Sequence, residues 1–126
     1  MSATLDQYVD DCEVYAHWSK RLIYTPGVAG LAEEHGAYWL IDAVASYQGP
    51  KLARKDPRLA DFQIWYLKLR PQPGMEHAAV LECWADSGAD ERPLVSQKIE
   101  YTDFPRDIKL YCERGQMMTL MLPEER

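Results

Sequence analysis

Thirteen consecutive residues, Gly36 to Gln48, read Gly-Ala-Tyr-Trp-Leu-Ile-Asp-Ala-Val-Ala-Ser-Tyr-Gln and carry one formal charge, at Asp42. Apolar side chains fall on every side of a 3.6-residue period, the pattern of a helix enclosed by its own chain rather than one lying on a surface. Leu40, Val44 and Tyr47 make one stripe and Trp39, Ala43 and Ser46 another, so two layers can pack against it. Gly49-Pro50 ends the run. A chain that holds such a helix has to build the rest of itself around it.

What surrounds it follows from a change of period. On the N-terminal side, Leu5, Tyr8, Val9, Cys12, Ala16 and Ser19 recur at helical spacing, with acids early and His17, Lys20 and Arg21 late, as the helix dipole favours. This predicts a helix over about 4–22. Thr25 is placed to cap and Pro26 to open a second, about 26–35, stopped by Gly36. The central run is the third, about 37–48. After a connector from Gly49 to Asp61, rich in Lys51, Arg54, Lys55 and Arg58, the period becomes two.

Strands are predicted at 62–70, 78–85, 94–101, 108–113 and 117–122, separated by Pro-, Gly- and Asp-containing turns. A helix from Asp103 to Arg114 competes for the penultimate segment. Short connections favour antiparallel neighbours. The expected fold is α+β: N-terminal helices packed on a C-terminal antiparallel sheet of about five strands, in a single domain spanning 1–126.

Composition narrows the function classes. Hydrophobic residues make up 47% and charged residues 27%, with neither a leader-like segment nor a long apolar span, so a cytoplasmic protein without a membrane partner is expected. Fourteen cations against twenty anions give a net charge of −6, which opposes nucleic-acid binding through the whole surface. Cys12, Cys83 and Cys112 lack CxxC spacing and read as reduced thiols. His17, His35 and His77 share no ligand spacing, so neither a metal site nor a Cys–His nucleophile is marked. No GxGxxG or GxxxxGK[ST] is present, and no cofactor is implied.

Three blocks, Gly36-Ala37-Tyr38-Trp39-Leu40-Ile41-Asp42, Phe62-Gln63-Ile64-Trp65 and Ile99-Glu100-Tyr101-Thr102-Asp103-Phe104-Pro105, occur in this order ahead of a strand hairpin. From about Leu22 to Pro123 the chain resembles a family of small bacterial proteins carried on plasmids, phages and other mobile elements. The resemblance implies a biological setting and brings no catalytic residues with it.

Two candidate sites emerge from the residues themselves. Asp42, with Tyr38 one turn before it, would be a carboxylate buried between helices and sheet, either a general base or a tie between a loop and its helix through backbone N–H groups or an Arg. The second is a sheet face. If Trp65, Leu67 and Leu69 point at the helices, then Phe62, Ile64 and Tyr66 point away, and neighbouring strands add Val80, Trp84 and Tyr111. Apolar and aromatic faces of this kind meet a protein partner or a second copy of the chain. The leading expectation is a non-enzymatic interaction module, an accessory or anti-defence protein of a mobile element that binds a host protein. The competing expectation is a small-molecule binder or enzyme at Asp42.

Overall fold

A computed structural model describes residues 14–86 and 92–126. The described chain opens with two short strands, β1 (Tyr15–Ala16) and β2 (Ile23–Tyr24), joined by a turn and paired antiparallel, with Tyr15 stacked on Tyr24 at 5.7 Å between ring centroids. Three helices follow, α1 (Pro26–His35), α2 (Tyr38–Tyr47) and α3 (Pro50–Lys55), and then a 3-10 turn, Pro57–Ala60. The remaining strands are β3 (Phe62–Leu69), β4 (Ala79–Trp84), β5 (Val95–Ile99), β6 (Ile108–Arg114) and β7 (Met118–Met121).

All seven strands form one sheet in the order β1-β2-β7-β6-β3-β4-β5. Every neighbouring pair is antiparallel except β2 and β7, which run parallel. The expected architecture is therefore corrected. The protein is α+β, but among the described residues the helices are inserted between β2 and β3, and the sheet they pack on is mixed and seven-stranded. Of the helix expected over 4–22, residues 4–13 lie outside the described residues, and the remainder is β1 and the turn that leads into β2.

The cause of that difference is long-range pairing. β2 completes the free edge of β7, aligning Ile23 with Thr119 and Tyr24 with Leu120. A partner about a hundred residues away overrides a helical spacing that only local propensity supports. A parallel pair needs a long connection, and here nearly the whole domain supplies it.

Local chemistry sets the helix ends. Thr25 Oγ1 accepts the Val28 N–H at 3.3 Å, Pro26 fills the first turn, and Gly36, at φ 58°, closes α1 in the left-handed conformation glycine tolerates. At Gly27 the requirement is space: a Cβ there would stand 2.6 Å from the Glu125 carboxylate, which receives the Gly27 N–H at 3.2 Å and the Thr25 hydroxyl at 2.6 Å. The C-terminal 3-10 turn, Pro123–Glu125, is thereby fastened to the start of α1.

α2 is one-sided. Leu40, Ile41, Val44 and Ala45 are buried, whereas Tyr38, Asp42 and Ser46, spaced by four, form an exposed stripe. This corrects the expectation of a helix buried all round. Burial is confined to the face against the sheet, and hydroxyl and carboxylate groups occupy the wet side. The connector is likewise ordered as α3 and the 3-10 turn, with Leu52 and Leu59 in the core.

Beneath the helices lie Trp65, Leu67, Leu81, Cys83, Leu110, Cys112 and Leu120, all at most 1% exposed. Among them sits a polar joint. Gln63, on β3, and Gln48, just past α2, exchange amide hydrogen bonds at 2.9 Å in each direction. Gln48 Nε2 also donates to Val44 O, and Gln63 Nε2 to Leu59 O, while Trp65 Nε1 donates to Gln63 Oε1 at 2.8 Å. Every polar atom of the pair is satisfied, which a buried amide requires. Gln63→Met is expected to destabilise the fold by about 2–4 kcal/mol in urea unfolding, more than Gln48→Met, because it also leaves the Trp65 N–H without an acceptor. Equal costs would show that the tryptophan contact contributes nothing.

Candidate functional site

Strand register sorts the side chains into two faces. Ile64 stands opposite Trp84 on β4 and Tyr111 on β6, and Tyr66 stands opposite Glu82 and Lys109. Phe62 aligns with Glu113, and Lys68 with Val80, which in turn faces Lys98 on β5. Phe62, Ile64, Tyr66, Val80, Trp84 and Tyr111 are thus brought together on one face. The core cluster under the helices contains none of the six. Ile64 is only 4% exposed and the other five are half-buried, so the face is closed mainly by its own side chains.

The aromatic groups are interleaved with cations. Phe62 packs on Tyr111 at 5.1 Å, and Tyr66 meets Trp84 edge-on at 6.5 Å. Lys68 Nζ lies 5.3 Å from the Tyr66 ring centroid and 5.2 Å from that of Trp84. Lys109 Nζ lies 5.6 Å from Tyr66 and 5.1 Å from Tyr111, and the Arg126 guanidinium 4.3 Å from Phe62. These are cation–π distances. Two of the cations have carboxylate partners: Lys68 pairs with Glu82 at 2.9 Å and Arg126 with Glu113 at 3.2 Å. Lys109 has no ion pair among the described residues.

Titration preferences follow from these neighbours. Lys109 is held above the ordinary lysine range, first by the Tyr111 hydroxyl, against the opposing pull of desolvation, with Tyr66 adding to the rise. Burial would push Glu82 up, but hydrogen bonds from Lys68 and Trp84, whose Nε1 donates to Oε1 at 3.0 Å, together hold its carboxyl below the usual range. Burial pushes the Cys83 and Cys112 thiols up to about 12, which leaves them little thiolate character at neutral pH.

Asp42 and Tyr38 sit in a different place, on the exposed stripe of α2. The Asp42 side chain is 55% exposed, so the buried carboxylate expected between helices and sheet is replaced by one at the surface. Its partner comes from the β1–β2 turn: His17 Nε2 lies 2.7 Å from Asp42 Oδ1, and Trp18 Nε1 donates to the same oxygen at 3.3 Å. The Ser19 N–H donates to His17 Nδ1 at 3.1 Å, which leaves Nε2 as the donor to Asp42, and Ser19 Oγ lies 2.7 Å from Nδ1. Tyr38 Oη instead donates to Glu33 at 3.3 Å, and burial followed by Glu33 raises its pKa.

His17 was missed as the partner of Asp42 because 25 residues and a hairpin separate them. Lys68 and Lys109 had a signal, since each lies two positions from an outward tyrosine on its strand. Arg126, beyond the last strand, had none. Among the described residues no group of three His, Cys, Asp or Glu is arranged to hold a metal ion, and no helix is long and apolar enough to cross a membrane.

The class defined by these observations is an α+β domain whose mixed sheet carries helices on one face and an aromatic, cation-bearing surface on the other. The chain belongs to a family of unknown function, DUF6876, which matches residues 1–126. No curated protein and no solved structure matches it.

The Glu82 pairing has a pH signature. A carboxyl held below its ordinary value stabilises the fold above about pH 4.3 and loses that contribution as pH falls through the depressed value. The pair is close to water, so Glu82→Gln should lower stability at pH 7 by no more than about 1 kcal/mol. Urea unfolding at pH 7 and pH 3 checks the sign: the gap between variant and wild type narrows in acid, and a gap that widens there contradicts the assignment.

Proposed function

We propose that this protein is a non-enzymatic interaction module of a bacterial mobile element, acting in the cytoplasm as an accessory or anti-defence protein that binds a host protein. The observation that carries the reading is the outer sheet face, where six apolar and aromatic side chains in adjacent register lie outside the core and are threaded with cations. The mobile-element setting rests on the sequence blocks quoted above. The cytoplasmic setting rests on Cys83 and Cys112, which are free thiols.

Charge selects the kind of partner. Lys68, Lys98, Lys109 and Arg126 share the outer face with Glu82 and Glu113, so this surface is locally cationic on a chain of net charge −6. Two copies meeting through the face would bring like charge together, whereas an acidic protein surface complements it. Lys109 is the anchor for a carboxylate of that partner, since it is flanked by Tyr66 and Tyr111 and has no internal acid to release first. Aromatic and cationic anchors of this composition dominate binding energy where water is excluded.

Chemistry at Asp42 is the second reading, and the chain Ser19–His17–Asp42 favours it, with both side-chain contacts at 2.7 Å. The same contacts also lock a turn, for Arg21 N–H donates to Ser19 Oγ at 3.2 Å. Substitutions separate the two readings. Tagged wild-type protein should capture an acidic protein from host lysate in a salt-sensitive way. Trp84→Asp and Lys109→Glu, folded by circular dichroism, should each retain less than about a tenth of it, a loss of at least ~1.4 kcal/mol. Asp42→Asn should bind normally. Loss with Asp42→Asn alone supports the second reading, and a dimer in light scattering that Trp84→Asp dissolves makes a second copy the occupant and overturns the acidic partner.

A further inference from the structure

On the helix side of the sheet, away from the docking face, a cleft of about 560 Å³ opens between α3, the end of α2 and the tips of β6 and β7. Its volume lies within the range of small-molecule sites. Arg21 and Arg114 stand in its lining, and among the described residues no carboxylate does. On a chain of net charge −6 this is an unusual local balance.

Both guanidiniums are steadied without being consumed. Arg21 Nη1 donates to Gln48 O at 3.1 Å, and Arg114 Nε donates to Ala60 O at 2.7 Å. The acid nearest to Arg114 is Asp61, at 3.8 Å with a side chain 81% exposed, a loose surface contact. Each arginine has five N–H donors in a planar fork, so most remain for a carboxylate or phosphate group. The rest of the lining is of another kind. Pro50, exposed, and Ala53 and Met117, half-buried, supply apolar wall above the buried Leu52 and Leu59, and the amides of Gln48 and Gln63 are saturated by one another and by backbone.

We infer that this cleft binds a small amphiphilic organic anion, its acid group met by Arg21 and Arg114 and its apolar part lying against Pro50, Ala53 and Met117. The division of the lining makes both parts necessary. An inorganic anion leaves the apolar wall of Pro50, Ala53 and Met117 wet, and a neutral amphiphile leaves the guanidiniums without a counter-charge.

The test uses four probes on isotope-labelled full-length protein followed by NMR: octanoate, octyl phosphate, octanol and inorganic phosphate. Octanoate or octyl phosphate should titrate saturably with shifts at Gly49, Leu52 and Arg114, and the comparison of the two says which acid group is preferred. Octanol and inorganic phosphate should bind at least tenfold more weakly. Arg21→Gln and Arg114→Gln should each weaken the anion at least tenfold. Ala53→Glu, which places a carboxylate on the half-buried wall of α3, should abolish binding with the fold intact, and it decides the matter if Arg21→Gln unfolds the chain. Equal binding of octanol and octanoate, indifference to Arg114→Gln and Ala53→Glu, or shifts confined to the outer face would overturn the inference.

Discussion

Trp65 points toward the helices, and that single orientation fixes what every other residue of β3 does. The strand is paired on both sides, with β4 and β6, so a slip of one residue would exchange the core set for the outer set across three strands at once. The apolar pattern alone resists such a slip weakly, because Phe62, Ile64, Tyr66, Trp65, Leu67 and Leu69 are all acceptable in a core. The polar joint is discriminating. Only in the observed register does Gln63, with the Trp65 N–H bound to it, meet Gln48; shifted by one, both strand residues would move to the outer face and the buried Gln48 amide would lose its partner.

Once β3 is fixed, the outer surface follows. Its rings are half-buried and too many to be scattered singly, and the cations above them reduce the exposed apolar area while remaining charged. Lys and Arg stems can cover apolar surface in this way and still present their heads to water. A partner that displaces water from the face therefore finds charges already positioned rather than tails to be ordered, which lowers the entropic cost of binding. Lys68 and Arg126 must share their charge with Glu82 and Glu113, and Lys109 need not.

The parts of this arrangement legible in the sequence are those written locally. Thr25, Pro26 and Gly36 bracket α1 by cap, ring and left-handed stop, and alternation along 62–70 assigns each side chain of β3 to a face before any partner strand is known. The parts that were not legible depend on distant pairing or on the sign of exposure. Residues 15–16 and 23–24 become strands because β7 offers an edge, which no window of the sequence contains. Asp42 looked buried since its neighbours are apolar, but a helix on one face of a sheet has a wet side, and position 42 falls on it with 38 and 46. Its tie to His17 depends on the same hairpin that local periodicity misread as helix.

β6 shows how two unlike surfaces can share one strand. Lys109, Tyr111 and Glu113 face outward with the aromatic set, whereas Leu110, Cys112 and Arg114 face the helices, and Arg114 reaches the cleft only because the strand outlasts the core. Between the two surfaces lie Leu110 and Cys112, at most 1% exposed, with no titratable character at neutral pH in the thiol. Packed apolar layers of this kind transmit little unless a whole element shifts, since close-packed side chains have few alternative arrangements. Occupancy of the cleft can therefore reach the outer face only by moving β6 against β3, and the register that Gln63 and Trp65 enforce opposes that motion. The two surfaces are best understood as independent, and the acidic remainder of the chain keeps each cationic patch a local feature rather than part of a general affinity for polyanions.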